Sequence, residues 1–290
     1  ASVSGVNNTA IGKNALSALT SGTGNTSVGK DSLLLNTTGG SNTAVGITAL
    51  DANTTGNNNT AIGNNCLSSS TTASQNTSVG SSSLDSITTG FANVAVGFVA
   101  GGGLTTGNYN IAIGQESLAA TSTASNNTAV GHEALKSTTT GANNVAVGAN
   151  ALDANTTASN NNAFGVDALG ANTTGDKNNA FGSATLESNT TGVENTAFGS
   201  RALQSNTTAN YNVAVGRDAL RANTTGSQNV AVGTDALDAN TTGSLNTALG
   251  DQALSANTTA SNNTAVGFAA LNANTTGADQ VAVGRKALQD

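Results

Sequence analysis

Apolar positions along the chain return in pairs at one fixed interval. A run such as Thr-Ala-Val or Val-Ala-Val ends on a glycine, and an Ala-Leu pair follows that glycine three and four residues later. "NNTAVGHEAL", from Asn126 to Leu135, is one copy. The glycines stand at 12, 29, 46 and every 17 residues onward to 284, without an insertion or deletion. With that glycine as position 0, Asn holds −4 in every unit except the last, which has Gln280. Position −2 is Ala or Ser, −1 is Val, Ile, Leu or Phe, and +4 is Leu except at Gly101. Polar tracts, commonly Asn-Thr-Thr, fill the remainder. The sites just after the glycine and just beyond the leucine accept almost anything.

A register held through 17 units means that each residue is matched to its counterpart one unit away, as in a solenoid. Two-helix repeats need about 33–47 residues, and Asn, Thr and Gly are poor helix formers. The pattern therefore predicts an all-β fold, a parallel β-solenoid of 17 coils of 17 residues. Each coil is expected to hold two short strands joined by tight turns. Stacked at the usual strand spacing, the coils would form an elongated rod roughly 80 Å long. Asn at −4 is expected to form an amide ladder, and the glycine to need positive φ or a close backbone approach. Leu and the −1 residue are expected inside, with Phe164, Phe181 and Phe198 stacked in the core. The Ala/Gly face is expected to pack outward against other copies.

Composition narrows the picture. The 290 residues include no Pro, Trp or Met, only 3% aromatic and 9% charged residues, and a net charge of −7. A single coil buries too little apolar surface to offset the entropy of ordering it, so stacked neighbours must supply the rest. The expected partner is the chain itself, as a homotrimer or by end-to-end stacking. Ala1 and Asp290 each fall six positions after a repeat glycine, so neither end departs from the pattern. This gives one repeat domain over 1–290, uncapped, a segment of a longer chain or fibre. Nine Lys and Arg and no basic patch argue against nucleic acid. No apolar run is long enough for membrane insertion.

"NNTAVG", "NNVAVG" and "NTAFG" followed by "xxAL" resemble the head repeats of YadA-type trimeric adhesins. They resemble still more closely the "NTAVGxxAL…NTTG" repeats of phage tail-fibre shafts and large bacterial surface proteins. The resemblance covers the whole chain. It implies a left-handed parallel β-roll, in three intertwined or adjacent copies, serving as an extracellular spacer or adhesive head. The strict 17-residue unit is longer than the usual adhesin head repeat.

Candidate chemistry is sparse. His132 and Glu133 follow a repeat glycine where other units carry Lys13, Ile47, Gln115 or Thr234, which marks a solvent-facing site. The zinc-protease pattern would need a histidine at Lys136. Cys66 replaces the usual Ala at +3 and is expected inside, with an interchain disulfide as the alternative. Asp218 and Asp235 should lie one coil apart and repel, partly offset by Arg217 and Arg221. No cofactor, metal or catalytic group is expected, so the chain reads as no enzyme. Asn-Thr-Thr recurs at Asn36, Asn53, Asn155, Asn172, Asn189, Asn206, Asn223, Asn240, Asn257 and Asn274, formally acceptors of N-linked glycans. The alternative is that Asn and Thr supply turn hydrogen bonds. Ranks of Thr also raise ice binding, although adjacent threonines such as Thr173 and Thr174 would point to opposite sides of a strand. The leading expectation is a structural fibre or shaft segment at a cell or virion surface. An adhesin head binding a host, glycan or matrix surface is the alternative, and an ice-binding solenoid the third.

Overall fold

A computed structural model describes residues 4–289; Ala1 and Asp290, on which the reading of the ends rests, lie outside them. The chain is an all-β solenoid. Seventeen strands of three residues run from Thr9–Ile11 (β1) to Val281–Val283 (β17), and no helix occurs among the described residues. The chain divides into two compact units, up to Asn143 and from Asn144 on. In the first, strands pair in parallel with a shift of 17 residues, Thr43 to Thr60 and Val45 to Ile62. In the second, Asn179 pairs with Thr196 and Phe181 with Phe198 in the same way.

Each coil holds one strand rather than two. Opposite the strand the backbone bends, yet its amides still bond between coils. In the second unit Asn179 and Leu186 donate forward to Asn195 (2.8 Å) and Ala202 (3.0 Å), whereas Gly182 and Ala184 donate backward to Phe164 (2.7 Å) and Val166 (2.9 Å). Short turns within a coil close the remainder, as from Asn189 to Leu186 (3.1 Å). The chain reverses through left-handed residues at −5, +2 and +4. The +4 leucines have φ between 47° and 54°, a conformation that costs an L-residue about 1–2 kcal/mol. It is kept because it turns a large apolar side chain of the coil inward, where the +4 leucines from Leu33 to Leu203 are fully buried. Gly101, with φ 62°, occupies that conformation without the penalty.

The facing of the strand is the reverse of that expected. Ala at −2 is fully buried in coil after coil, as at Ala44, Ala163 and Ala248. The −1 residues point out: Phe164 is 36% and Phe198 42% exposed, and Phe181 is half-buried between them. The three rings do stack, at 4.8 and 4.5 Å, but on the surface. Volume explains the inversion. Leucine, the ladder asparagines and the backbone already fill the narrow interior, so only Ala or Ser fits across from them. A shift of one residue exchanges the two faces of a strand. Where Ser replaces Ala at −2, the same coil also has Ser at +3, and Ser27–Ser32 and Ser78–Ser83 join their hydroxyls at 2.5 Å. A buried hydroxyl thus arrives with its partner. The Ala/Gly face is therefore internal and cannot carry packing between copies.

Candidate functional site

Among the described residues, charge is confined to the turns, at +1, +2, +5, −5 and −6. Pairs form along these columns. Lys136 reaches Glu116 at 2.7 Å and Glu133 at 2.9 Å. That ammonium holds the Glu116 carboxyl below its ordinary range, and both carboxylates raise Lys136. His132 is surface-exposed, with its Nε2 3.8 Å from Glu133 Oε1. Asp218 is 4% exposed. It accepts from Arg201 at 2.8 Å, with Arg217 at 3.0 Å and Arg221 at 3.9 Å. Arg217 and Arg221 also face Asp235 (3.6 Å) and Asp238 (3.7 Å). Guanidinium groups thus bridge the carboxylates expected to repel. Arg201 was not singled out in the sequence, although its spacing of 17 from Asp218 places it one coil away.

Three side-chain ladders run inside and along the coils. At −4, the amide oxygen of Asn195 accepts the backbone N–H of Asn212 at 3.0 Å, while its Nδ2 donates to Asn178 Oδ1 (3.1 Å) and to the Ala209 carbonyl (2.8 Å). This is the expected amide ladder, fully buried. At +7 the asparagines of Asn-Thr-Thr form a second one. Asn189, Asn206, Asn223 and Asn240 each donate to the preceding asparagine at 2.8–3.0 Å and to a carbonyl three residues on. Asn36, Asn53, Asn155, Asn172, Asn189, Asn206, Asn223, Asn240 and Asn257 are fully buried, and Asn274 is half-buried. Their amides are engaged as turn and ladder donors rather than held out to an enzyme that adds glycans. At −6, outward Ser, Asn or Asp side chains cap backbone amides of the coil before. Asn210 Oδ1 accepts from Val193 N–H at 2.7 Å, and Ser227 Oγ from Asn210 N–H at 3.1 Å.

The +7 ladder breaks where Ser70 follows Asn53. Asn53 Oδ1 and Ser70 Oγ are both buried without a partner. Ser70→Asn is expected to satisfy Asn53 and to stabilise the protein by about 1 kcal/mol, since an orphaned buried polar atom costs about that or more. A rise in the urea midpoint at constant slope checks it. A second conflict lies at Asp51, where burial raises the carboxyl above the ordinary 3.8 even though backbone amides of Asp51 and Ala52 oppose it. Its folded pKa exceeds its unfolded one, so the folded chain holds the proton more tightly. Stability then increases as the pH falls through the raised value toward 3.8. Asp51→Asn is expected to raise the melting temperature at pH 7, by less than the equivalent of about 1 kcal/mol after solvent screening. That advantage disappears below pH 3.8.

Cys66 is fully buried, with Sγ 3.2 Å from the Ser78 carbonyl and 3.3 Å from Ser83 Oγ. Burial pushes its thiol up, away from the reactive thiolate. In the second unit a shallow notch of about 440 Å³ opens at Gly170, lined by Asn150, Asp153, Asp167, Glu187 and Ser188. Its Asp167 accepts the Asn150 amide at 3.0 Å. Among the described residues, no group of three or more His, Cys, Asp or Glu is placed to hold a metal ion, and no helix is long and apolar enough to cross a membrane. The arrangement therefore provides ladders, ion pairs and outward faces. No protein-family model and no curated protein matches the chain.

Proposed function

We propose that the chain is a non-catalytic structural segment, a shaft or spacer of an extracellular appendage or filament, built from copies packed side by side. The observation that carries this reading is the division of labour within each coil. Inward positions are fixed by ladders from coil to coil, and residue type varies freely mainly in outward turns. A catalytic chain would instead concentrate its exceptions in one cleft. The likeness of the motif to tail-fibre and adhesin repeats supports an extracellular setting.

The strand face supports packing between copies. In the first unit every outward residue at −3 and −1, from Thr9 to Val130, is Thr, Val or Ile, and none is charged. β-branched side chains hold one main rotamer, so such a surface loses little freedom on being covered. A continuous exposed apolar strip marks an interface. The homotrimer is thus assigned to this face in place of the Ala/Gly face. The test is solution mass: the chain should sediment as a multiple of 28.0 kDa, and Val45→Lys with Val96→Lys should return single chains of unchanged circular dichroism. A single-chain mass for the unaltered protein would end the packing proposal. Antibody labelling of intact cells or virions tests the setting, and labelling only after rupture would refute it.

An adhesive head is the second reading. It draws on the aromatic pair of the first unit, where the exposed Phe91 and Tyr109 meet edge to face at 5.0 Å. Aromatic side chains dominate recognition hot spots. Surface adhesion lost on Tyr109→Ser favours this reading over a pure spacer.

A further inference from the structure

Outside the strand, most outward columns of the coil change chemical class from unit to unit, and one exposed column does not. Position +9, the second Thr of Asn-Thr-Thr, is Thr in every coil from Thr38 to Thr276, with Ser21 before them. That is seven threonines in the first unit and eight in the second, all exposed. Packing does not require this constancy. The first Thr of each pair, at +8, is engaged by the fold: Thr173 Oγ1 donates to the Thr190 carbonyl at 3.0 Å, and Thr190 Oγ1 to Thr207 at 3.1 Å. Among the described residues the +9 threonine hydroxyls make no hydrogen bond, although their backbone amides join the same carbonyls, as Thr191 does at 3.3 Å to Thr207. Adjacent threonines such as Thr173 and Thr174 sit at a bend rather than in a strand, and only the second of the two is exposed. One is tied to the backbone and the other stands outward.

Recent duplication does not explain the rank, because the +1, +2 and −5 columns of the same coils have diverged freely. A ligand bound at one place, or an enzyme modifying a few hydroxyls, would not hold every coil to threonine. A ligand that is itself periodic would. Within each unit the rank offers one hydroxyl and one methyl about every 4.8 Å, each on a side chain restricted to few rotamers. The hydroxyl both donates and accepts, which suits a lattice of water molecules. The spacing is close to a repeat of oxygen positions on ice surfaces. No charged side chain occupies +8 or +9 in any coil, so no strongly held, disordered hydration shell competes along the rank. A polysaccharide is a poorer match, since aromatic platforms are absent from these two columns.

We infer that the +9 threonine rank is an ice-binding surface, with crystalline water as its ligand. This activity is separate from the packing assigned to the strand face.

The test uses the full chain in an ice-recrystallisation assay, together with partition of the labelled protein into a slowly growing ice hemisphere. The unaltered protein is expected to keep grains small and to enter the ice. Thr191→Tyr with Thr208→Tyr should reduce inhibition several-fold at unchanged melting temperature. Ser200→Tyr, in the freely varying +1 column, should leave it intact. Coarse grains and exclusion from the ice with the unaltered protein would overturn the proposal. Loss of activity in Ser200→Tyr equal to that in the threonine variant would overturn the assignment to the rank. Absence of ice activity combined with rank-dependent retention on insoluble polysaccharide would overturn ice as the ligand in favour of a glycan.

Discussion

Gly233→Ala is expected to cost about 4 kcal/mol or more, in the range of the most damaging single substitutions. Two effects coincide there. The residue has φ 137°, a region open essentially to glycine alone. A methyl group on its Cα would also stand 2.5 Å from both the carbonyl carbon and the oxygen of Gly250. Those atoms are backbone, so no side-chain rotation relieves the clash. Gly216 and Gly250 meet the same conflict with the following coil, at 2.4–2.7 Å. Repeat glycines therefore let neighbouring backbones approach at the end of the strand. The expected result is a large fall in the urea midpoint, with a less steep transition if the two sides of the substitution unfold separately. A loss below about 1 kcal/mol would mean that the coils are not in contact there.

Asn195→Ala is the second large expected effect, about 3–5 kcal/mol. It leaves the buried N–H of Asn212 without a partner, an orphan that costs about 1–3 kcal/mol. It also removes one of the two donors to the Ala209 carbonyl, which keeps Asn206 Nδ2 at 3.2 Å. The vacated side-chain volume adds a cavity. Asn210→Ala makes the contrast sharp. It also removes an acceptor, for the Val193 amide at 2.7 Å, but this site borders solvent and water can substitute, so the loss should stay under about 1 kcal/mol. Equal losses for the two variants, by chemical denaturation, would remove the inner ladder as the main polar support.

These two positions show which part of the fold is legible in the sequence. Asparagine at −4 and glycine at 0 recur because each contacts its own counterpart, so the 17-residue interval displays them directly. Facing is not displayed. Thr-Ala-Val alternates equally well with either side inward, and hydrophobicity favours valine inside. The narrow interior, already occupied by Leu186, Asn189 and Asn195, decides for Ala180 and leaves Phe181 outside. The left-handed +4 leucines are hidden for a related reason, since leucine carries no local sign of positive φ. Gly101 in the leucine column is the one hint. The asparagines of Asn-Thr-Thr read either as formal glycan acceptors or as turn residues, because that tripeptide is a turn signal. Burial of Asn206 within a ladder becomes visible only when neighbouring coils are stacked. The threonine rank was visible as composition, but the different fates of Thr190 and Thr191 depend on a bend that no propensity announces.

One feature of the backbone reaches beyond any single coil. Successive layers offer the same donors and acceptors to one another: the Asn179 amide donates to the Asn195 carbonyl, and the Thr196 amide to the Asn212 carbonyl. A gene that gains or loses one whole unit of 17 codons therefore encodes a product whose new junction is equivalent to the old ones. Unequal recombination between copies can lengthen or shorten the protein without passing through a misfolded intermediate, and length becomes a trait on which selection acts independently of stability.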